Sequence, residues 1–200
     1  MSYYLDRSKF YLIRIYAFSN KIEKIDSYSI SEFDLLEEIY FHRNDIKTIE
    51  PYAISHLKAL IKIEIIQNRL KAIRSFTFYN LSSLRSLTIT SNDIEIVEPY
   101  AFQHMPNLYN LDLSTNKITT IESYTFYNLK AIYIFLKLND IKIVKSHAFY
   151  NLSMCEYIDL SYNQIENIEK DAFMNLPEVK SISLEKNPFR DEFYFKNDYY

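Results

Sequence analysis

Few residues of this chain have the types and spacing that nucleophilic or metal chemistry requires. The 200 residues include one cysteine, Cys155, and four histidines, and no two of these histidines have metal-ligand spacing. A single thiol cannot form an intrachain disulfide or a multi-thiolate zinc site. Glycine is absent, which excludes glycine-rich phosphate loops and the dinucleotide fingerprint. We therefore predict no metal site, no cofactor and no enzymatic activity.

Two aspartates and the cysteine are the remaining candidates for catalytic groups, and the sequence argues against each. Asp112 lies in a Leu-Asp-Leu-Ser segment and Asp159 in the equivalent Ile-Asp-Leu-Ser segment. Because Phe135 lies between these segments, the two carboxylates are not expected to act as a pair. Cys155 occupies a position that is leucine in comparable segments. This favours a small core residue over a nucleophile.

Charge and hydrophobicity limit the class of partner. The formal net charge of −3 argues against a nucleic acid or an anionic membrane held by bulk electrostatics. No run of 18 or more apolar residues occurs, so we predict no membrane insertion. With 48% hydrophobic and 24% charged residues, the composition is typical of a globular protein.

Asparagine recurs with a period that organises almost the whole sequence. Successive members of the series are 24 residues apart, except for one step of 23 residues. The series is Asn20, Asn44, Asn68, Asn92, Asn116, Asn139, Asn163 and Asn187. We number eight coils of the chain by these asparagines.

Apolar residues hold fixed places around each asparagine, such as Leu87, Ile89 and Ile94 around Asn92. The alternation before the asparagine predicts a short strand with one buried face. The asparagine amide can donate to and accept from backbone groups of its turn and of the next coil. Because one coil alone cannot bury its apolar stripe, the coils must stack. Stacking predicts a buried ladder of asparagine side chains.

A second apolar stripe lies in the other half of each coil. Phe126, Phe149 and Phe173 belong to it, and each is followed three residues later by leucine. A spacing of three residues fits one turn of α- or 3₁₀-helix. We expect these phenylalanines to stack as a spine inside the solenoid.

These motifs resemble the leucine-rich repeat family, in its 24-residue subtype found in Toll-like receptor and Slit-like ectodomains. The pattern L-x-x-L-x-L-x-x-N-x-L and the segment Thr125–Leu129, with its counterparts in the next two coils, carry the resemblance. It implies an α/β repeat solenoid shaped as a horseshoe. A parallel β-sheet would line the concave face, and short helical or irregular segments the convex face.

The resemblance also suggests domain boundaries and a compartment. We expect an N-terminal edge cover over residues 1–11, the solenoid of eight coils over 12–189, and a C-terminal edge cover or tail over 190–200. The subtype favours an extracellular or cell-surface protein. However, neither end carries the cysteine caps common in such ectodomains, and the N-terminus has no signal-peptide apolar region.

In this family the concave face usually binds proteins, so the resemblance implies that outward-facing strand residues contact a partner. Aromatic residues cluster there in the first two coils and again in the sixth and seventh. The candidate contacts are Tyr133, Phe135, Lys137, Tyr157, Asp159, Tyr16, Phe18, Tyr40 and His42. Clustered exposed aromatics are typical of binding hot spots. We therefore predict a protein-recognition module whose main hot spot lies in the sixth and seventh coils.

Two other functions agree with the same residues. The aromatic patches or the open ends of the solenoid could mediate weak self-association in a structural or assembly module. Alternatively, the concave tyrosines could be stacking surfaces for a glycan or small ligand on an ectodomain.

Overall fold

In the computed structural model, which describes residues 11–188, the chain forms a solenoid of stacked coils joined by parallel strands. We number its twenty strands in chain order. Eight of them, one from each coil, form a single parallel sheet. They are β1 (Arg14–Phe18), β4 (Glu38–His42), β7 (Lys62–Ile66), β10 (Ser86–Thr88), β12 (Asn110–Asp112), β15 (Tyr133–Phe135), β18 (Tyr157–Asp159) and β20 (Ser181–Ser183).

The remaining strands have two residues each and lie on the path that returns to the next sheet strand. Those that directly follow a ladder turn are β2 (Lys24–Ile25), β5 (Thr48–Ile49), β8 (Ala72–Ile73), β11 (Ile96–Val97), β13 (Thr120–Ile121), β16 (Ile143–Val144) and β19 (Asn167–Ile168). Those further along the return path are β3 (Ile30–Ser31), β6 (Ile54–Ser55), β9 (Phe78–Tyr79), β14 (Phe126–Tyr127) and β17 (Phe149–Tyr150). All of them pair in parallel with the equivalent strand of an adjacent coil.

The register of the large sheet follows the sequence period. Ile15 pairs with Ile39, and Ile39 pairs with Ile63, so equivalent residues of successive coils lie side by side. In β4 and β7 the second and fourth residues are buried while the others are half-exposed. This alternation turns an apolar row into the core and leaves a second row facing outwards on the concave side.

The ladder asparagines hold adjacent coils together. Asn92 Nδ2 donates to the carbonyl of Ile65 at 2.8 Å and to that of Thr90 at 3.0 Å, and its Oδ1 accepts from the Leu70 amide at 3.2 Å. The six internal members are buried: Asn44, Asn68, Asn92, Asn116, Asn139 and Asn163. One side chain thus satisfies backbone groups in two coils, which a buried turn requires.

The two end members of the series differ from the internal ones. Asn20 is exposed, and its amide donates to the Phe18 carbonyl at 3.1 Å. Asn187 is half-buried and bonds back to the Leu160 carbonyl and the Ile165 amide, both at 2.9 Å. The expected N-terminal cover, apart from Tyr11, and the expected C-terminal cover at 190–200 lie outside the described residues.

Over residues 11–188 the convex side contains the phenylalanine spine but no helix. Phe126 stacks on Phe149 with ring centroids 4.9 Å apart, and Phe149 stacks on Phe173 at 5.1 Å. Of the helical or irregular segments predicted here, the helical ones are wrong for residues 11–188, where this part of each coil is irregular or forms two-residue strands. The Phe126 and Asn128 amides donate to the next coil, at Ala148 and Tyr150, and not within their own turn.

Left-handed backbone explains why no helix forms. Each complete coil places three residues at positive φ: the one before the ladder asparagine and those eight and twelve residues after it, such as Thr115, Tyr124 and Asn128 in the fifth coil. Within residues 11–188 there are 22 such positions, and none is glycine. A left-handed residue with a Cβ costs roughly 1–2 kcal/mol, less for asparagine. The burial and hydrogen bonding of the stacked coils must offset this strain.

Leu138 is an exposed aliphatic residue in one of these left-handed positions, with φ of 56°. Asparagine tolerates this conformation better than leucine, so we expect Leu138→Asn to raise the free energy of unfolding by about 1 kcal/mol. Leu138→Val should lower it, since β-branched side chains are disfavoured at positive φ. Urea denaturation of the three proteins measures both effects. Equal stabilities would show that the strain is relieved elsewhere.

Candidate partner-binding face

The outward row of the concave sheet begins with an aromatic cluster in the first two coils. Tyr16 stacks on Tyr40 with ring centroids 5.0 Å apart, and Phe18 lies 4.8 Å from the ring of His42. Tyr16 is 57% exposed and Phe18 is 48% exposed. We call these four residues the N-terminal cluster. Their ring faces are partly used in contacts with each other, so the cluster is preorganised.

Charged side chains next to this cluster are paired with one another. Glu38 accepts from Arg14 Nε at 2.7 Å and from the Tyr40 hydroxyl at 3.1 Å. The Coulomb attraction of Glu38 raises the pKa of Arg14. Burial, followed by the hydrogen bond to Glu38, raises the pKa of Tyr40. The carboxylate of Glu38 is thereby engaged by its own sheet.

Glu64 is the second acidic residue here that pairs with neighbouring side chains. It accepts from Lys62 Nζ at 2.7 Å, and its other oxygen lies 2.8 Å from His42 Nε2. The hydrogen bond to Glu64 raises the pKa of Lys62, whose ammonium also lies 5.3 Å from the ring centroid of Tyr40. The first three coils therefore present aromatic surface more than free charge.

A second group of aromatic side chains lies on the sixth and seventh coils. Tyr133 and Phe135 have ring centroids 6.3 Å apart, and Phe135 and Tyr157 are separated by 6.0 Å. All three side chains are half-buried. We call these three residues the C-terminal cluster.

The other two candidate contacts of these coils have different environments. Lys137 is exposed. Asp159 is buried, and its Oδ1 accepts from the Ser161 amide at 3.0 Å. Asp112 accepts in the same way from the Ser114 amide at 2.9 Å. Both aspartates therefore fix the ends of their own strands.

Tyr109, which was not among the predicted contacts, extends the C-terminal cluster beyond the sheet. Its ring meets that of Tyr133 edge-on with centroids 5.2 Å apart, and a hydrogen bond with Tyr133 raises the pKa of Tyr109. Tyr109 lies one residue before β12 and is half-exposed. The signal was available, because the residues that precede the sheet strands form a row of their own.

The remaining chemical candidates do not form a reactive site. Cys155 is buried, and burial raises the pKa of its thiol to about 11. The reactive thiolate is therefore strongly disfavoured at neutral pH. No group of three or more histidine, cysteine or acidic side chains within residues 11–188 is placed to hold a metal ion. The same span contains no helix of the length and apolar character needed to cross a bilayer.

Coils with one concave strand, a buried asparagine and an apolar core between neighbours define a leucine-rich repeat solenoid. The family model for the BspA type leucine rich repeat region, in six copies, matches residues 9–115 and 71–198. The chain therefore belongs to the BspA-type leucine-rich repeat family. Leucine-rich repeat domains are typically binding modules that use an extended concave surface.

Solved structures share this fold. One similar structure is the crystal structure of a TLR13–ssRNA13 complex, with 24% sequence identity to this chain and a TM-score of 0.71. The match covers 84% of this chain and 24% of that one. Human 5T4, also described as Wnt-activated inhibitory factor 1 or trophoblast glycoprotein, is 16% identical with a TM-score of 0.51, covering 86% of this chain and 76% of that one. The chain thus spans about a quarter of the first of these proteins. No curated protein sequence matches it.

Proposed function

We propose that this chain binds another protein through its concave face, with the C-terminal cluster as the main hot spot. One observation carries the proposal: the Phe135 ring lies against both Tyr133 and Tyr157, which are paired on adjacent strands of the parallel sheet. Aromatic side chains held in this way bury large areas at little entropic cost when a partner covers them. Exposed Lys137 lies at the edge of the same patch.

The paired cations of the first three coils favour a protein partner over a nucleic acid at that end of the face. Arg14 and Lys62 are already paired with Glu38 and Glu64. Nucleic-acid affinity depends on unpaired cations that neutralise phosphates.

A polar stretch between the two clusters, which includes Thr88 and Asp112, separates two aromatic contact areas.

Removing Phe135 and Tyr157 from the C-terminal cluster is expected to weaken partner binding strongly without unfolding the chain. In the variant Phe135→Ala/Tyr157→Ala, loss of the phenylalanine ring alone should cost about 2 kcal/mol of binding free energy. A matched control is Phe76→Ala/Tyr100→Ala, which removes two aromatics that are exposed outside the concave sheet. Proteins captured from the secretome and the cytosol by wild type and control, but not by the concave variant, would be identified and their Kd values measured.

Three results would contradict this proposal. An identified partner with the same Kd for wild type and the concave variant would place the site elsewhere, with the N-terminal cluster as the next to test. Concentration-dependent dimerisation that the concave variant abolishes would favour the self-association alternative. Binding to a glycan array that is lost on Tyr133→Ala would favour the ectodomain alternative.

A further inference from the structure

A groove of about 820 Å³ lies beside the concave sheet, at the rim where three successive coils enter their strands. Ile61, Arg85 and Tyr109 line it, and each directly precedes a sheet strand, β7, β10 or β12. Tyr109 also contacts Tyr133. The groove is therefore continuous with the C-terminal cluster.

Arg85 is the charged group of this groove, and no described residue neutralises it. The other four arginines between residues 11 and 188 each meet a carboxylate or an amide oxygen: Arg14, Arg43, Arg69 and Arg74. Arg85 is exposed and has no ion pair or side-chain hydrogen bond to any residue in that span. Its five guanidinium N–H donors remain available to a ligand.

The backbone around Arg85 is fixed. Its amide donates to the Ile61 carbonyl at 2.9 Å, and its own carbonyl accepts from the amides of Tyr109 at 2.8 Å and Asn110 at 2.9 Å. A guanidinium on an anchored backbone is a suitable partner for a carboxylate, which it can bind through two parallel hydrogen bonds.

The walls of the groove favour a carboxylate carried on an apolar stem. Ile61 and Tyr109 are 38% and 49% exposed and flank Arg85 on either side. The remaining lining residues are small or uncharged: Ala59, Ser83, Ser86, Asn107 and Asn110. None of the eight lining residues is acidic, although the whole chain carries a formal charge of −3. The groove is therefore a local positive site.

We propose that this groove binds an acidic peptide segment of the partner protein, in which Arg85 takes a glutamate or aspartate carboxylate and Ile61 and Tyr109 pack on the flanking apolar side chains. The inference rests on the proposed function, because the same partner would cover the C-terminal cluster. It adds a charge requirement that the aromatic cluster alone does not impose.

Titration with short capped peptides tests this groove directly. The probe is acetyl-Ala-Leu-Glu-Leu-Ala-amide, and its control has glutamine in place of glutamate. Nuclear magnetic resonance should show the Arg85 Nε–H and the Tyr109 amide shifting with the acidic peptide only. Arg85→Met, which keeps the apolar stem, should weaken binding of the acidic peptide about tenfold or more. The Kd of Arg85→Lys for the acidic peptide should lie between those of wild type and Arg85→Met. Lysine keeps the positive charge but cannot form the two parallel hydrogen bonds of a guanidinium.

Several outcomes would overturn the inference. These are equal Kd values for the glutamate and glutamine peptides, an unchanged Kd in Arg85→Met, or tighter Arg85-dependent binding of a ten-nucleotide uridine RNA. The Phe76→Ala/Tyr100→Ala variant should bind the peptide as wild type does, because those residues lie outside both the groove and the concave sheet. A failed titration together with partner binding that still requires Phe135 would reject the groove and leave the proposed function in place.

Discussion

Replacing Phe126 with alanine should lower the free energy of unfolding by about 3–5 kcal/mol, the range measured when large aromatic residues are removed from protein cores. Phe126 is fully buried, and its ring stacks between Phe102 at 5.8 Å and Phe149 at 4.9 Å. Neighbouring coils are tied by parallel backbone pairing, so they cannot move together to fill the space. Most of the cavity should therefore persist.

Chemical denaturation with Phe126→Leu as the control separates the cavity from the aromatic contact. Leucine restores most of the lost volume but not the ring stacking. Phe126→Leu should therefore lower the free energy of unfolding by well under half as much as Phe126→Ala. An alanine variant that loses less than 1 kcal/mol would show that the spine does not hold the coils together.

The second large effect is expected at the asparagine ladder. Asn92→Ala should cost about 3 kcal/mol, because the Ile65 carbonyl and the Leu70 amide lose the Asn92 side chain as a partner. The Thr90 carbonyl loses one of its two donors and keeps the Gln67 amide. Each buried backbone group left without a hydrogen bond costs about 1–3 kcal/mol, and partial entry of water reduces the sum. The alanine methyl cannot replace either amide function.

Asn20→Ala provides the matched control for the ladder. Asn20 has the same place in the repeat, but it is exposed and its amide makes one local bond. Its replacement should change the free energy of unfolding by less than about 0.5 kcal/mol, as is usual for surface sites. Urea denaturation of both variants measures the difference. Similar losses at the two positions would mean that stacking, and not the buried amide, gives Asn92 its role.

The period of the sequence was sufficient to predict the sheet and its register. The repeat positions of Leu87, Ile89 and Asn92 recur at fixed spacing in the other coils. Only one stacking of the coils buries the residues at all of these positions at once. Register follows from that condition, because a slip of one residue would expose the apolar row. The buried environment of the ladder follows for the same reason.

The return path could not be predicted in the same way. The spacing between Phe126 and Leu129 fits a helical turn, but Tyr124 and Asn128 lie at positive φ and the amides bond to the next coil. Glycine is absent, and asparagine marks only one of the three left-handed positions, as Asn80, Asn128, Asn151 and Asn175.

The sequence predicted which residues lie on the concave face, but not the contacts that each side chain makes there. Whether Asp159 faces a partner or binds its own strand depends on side-chain geometry, and the structure has its Oδ1 bonded to Ser161. Tyr109 was missed because it precedes its strand, outside the alternating pattern that identifies outward residues.

The order of the sheet strands gives this molecule an unusual response to force. Each strand of the large sheet pairs only with strands of the adjacent coils, from β1 at one end to β20 at the other. Tension on the two ends of the chain would detach a terminal coil without disturbing contacts further along. Each detached coil of 24 residues releases roughly 80 Å of extended chain. The solenoid would therefore lengthen in a series of nearly equal steps, while the surviving coils keep their shape.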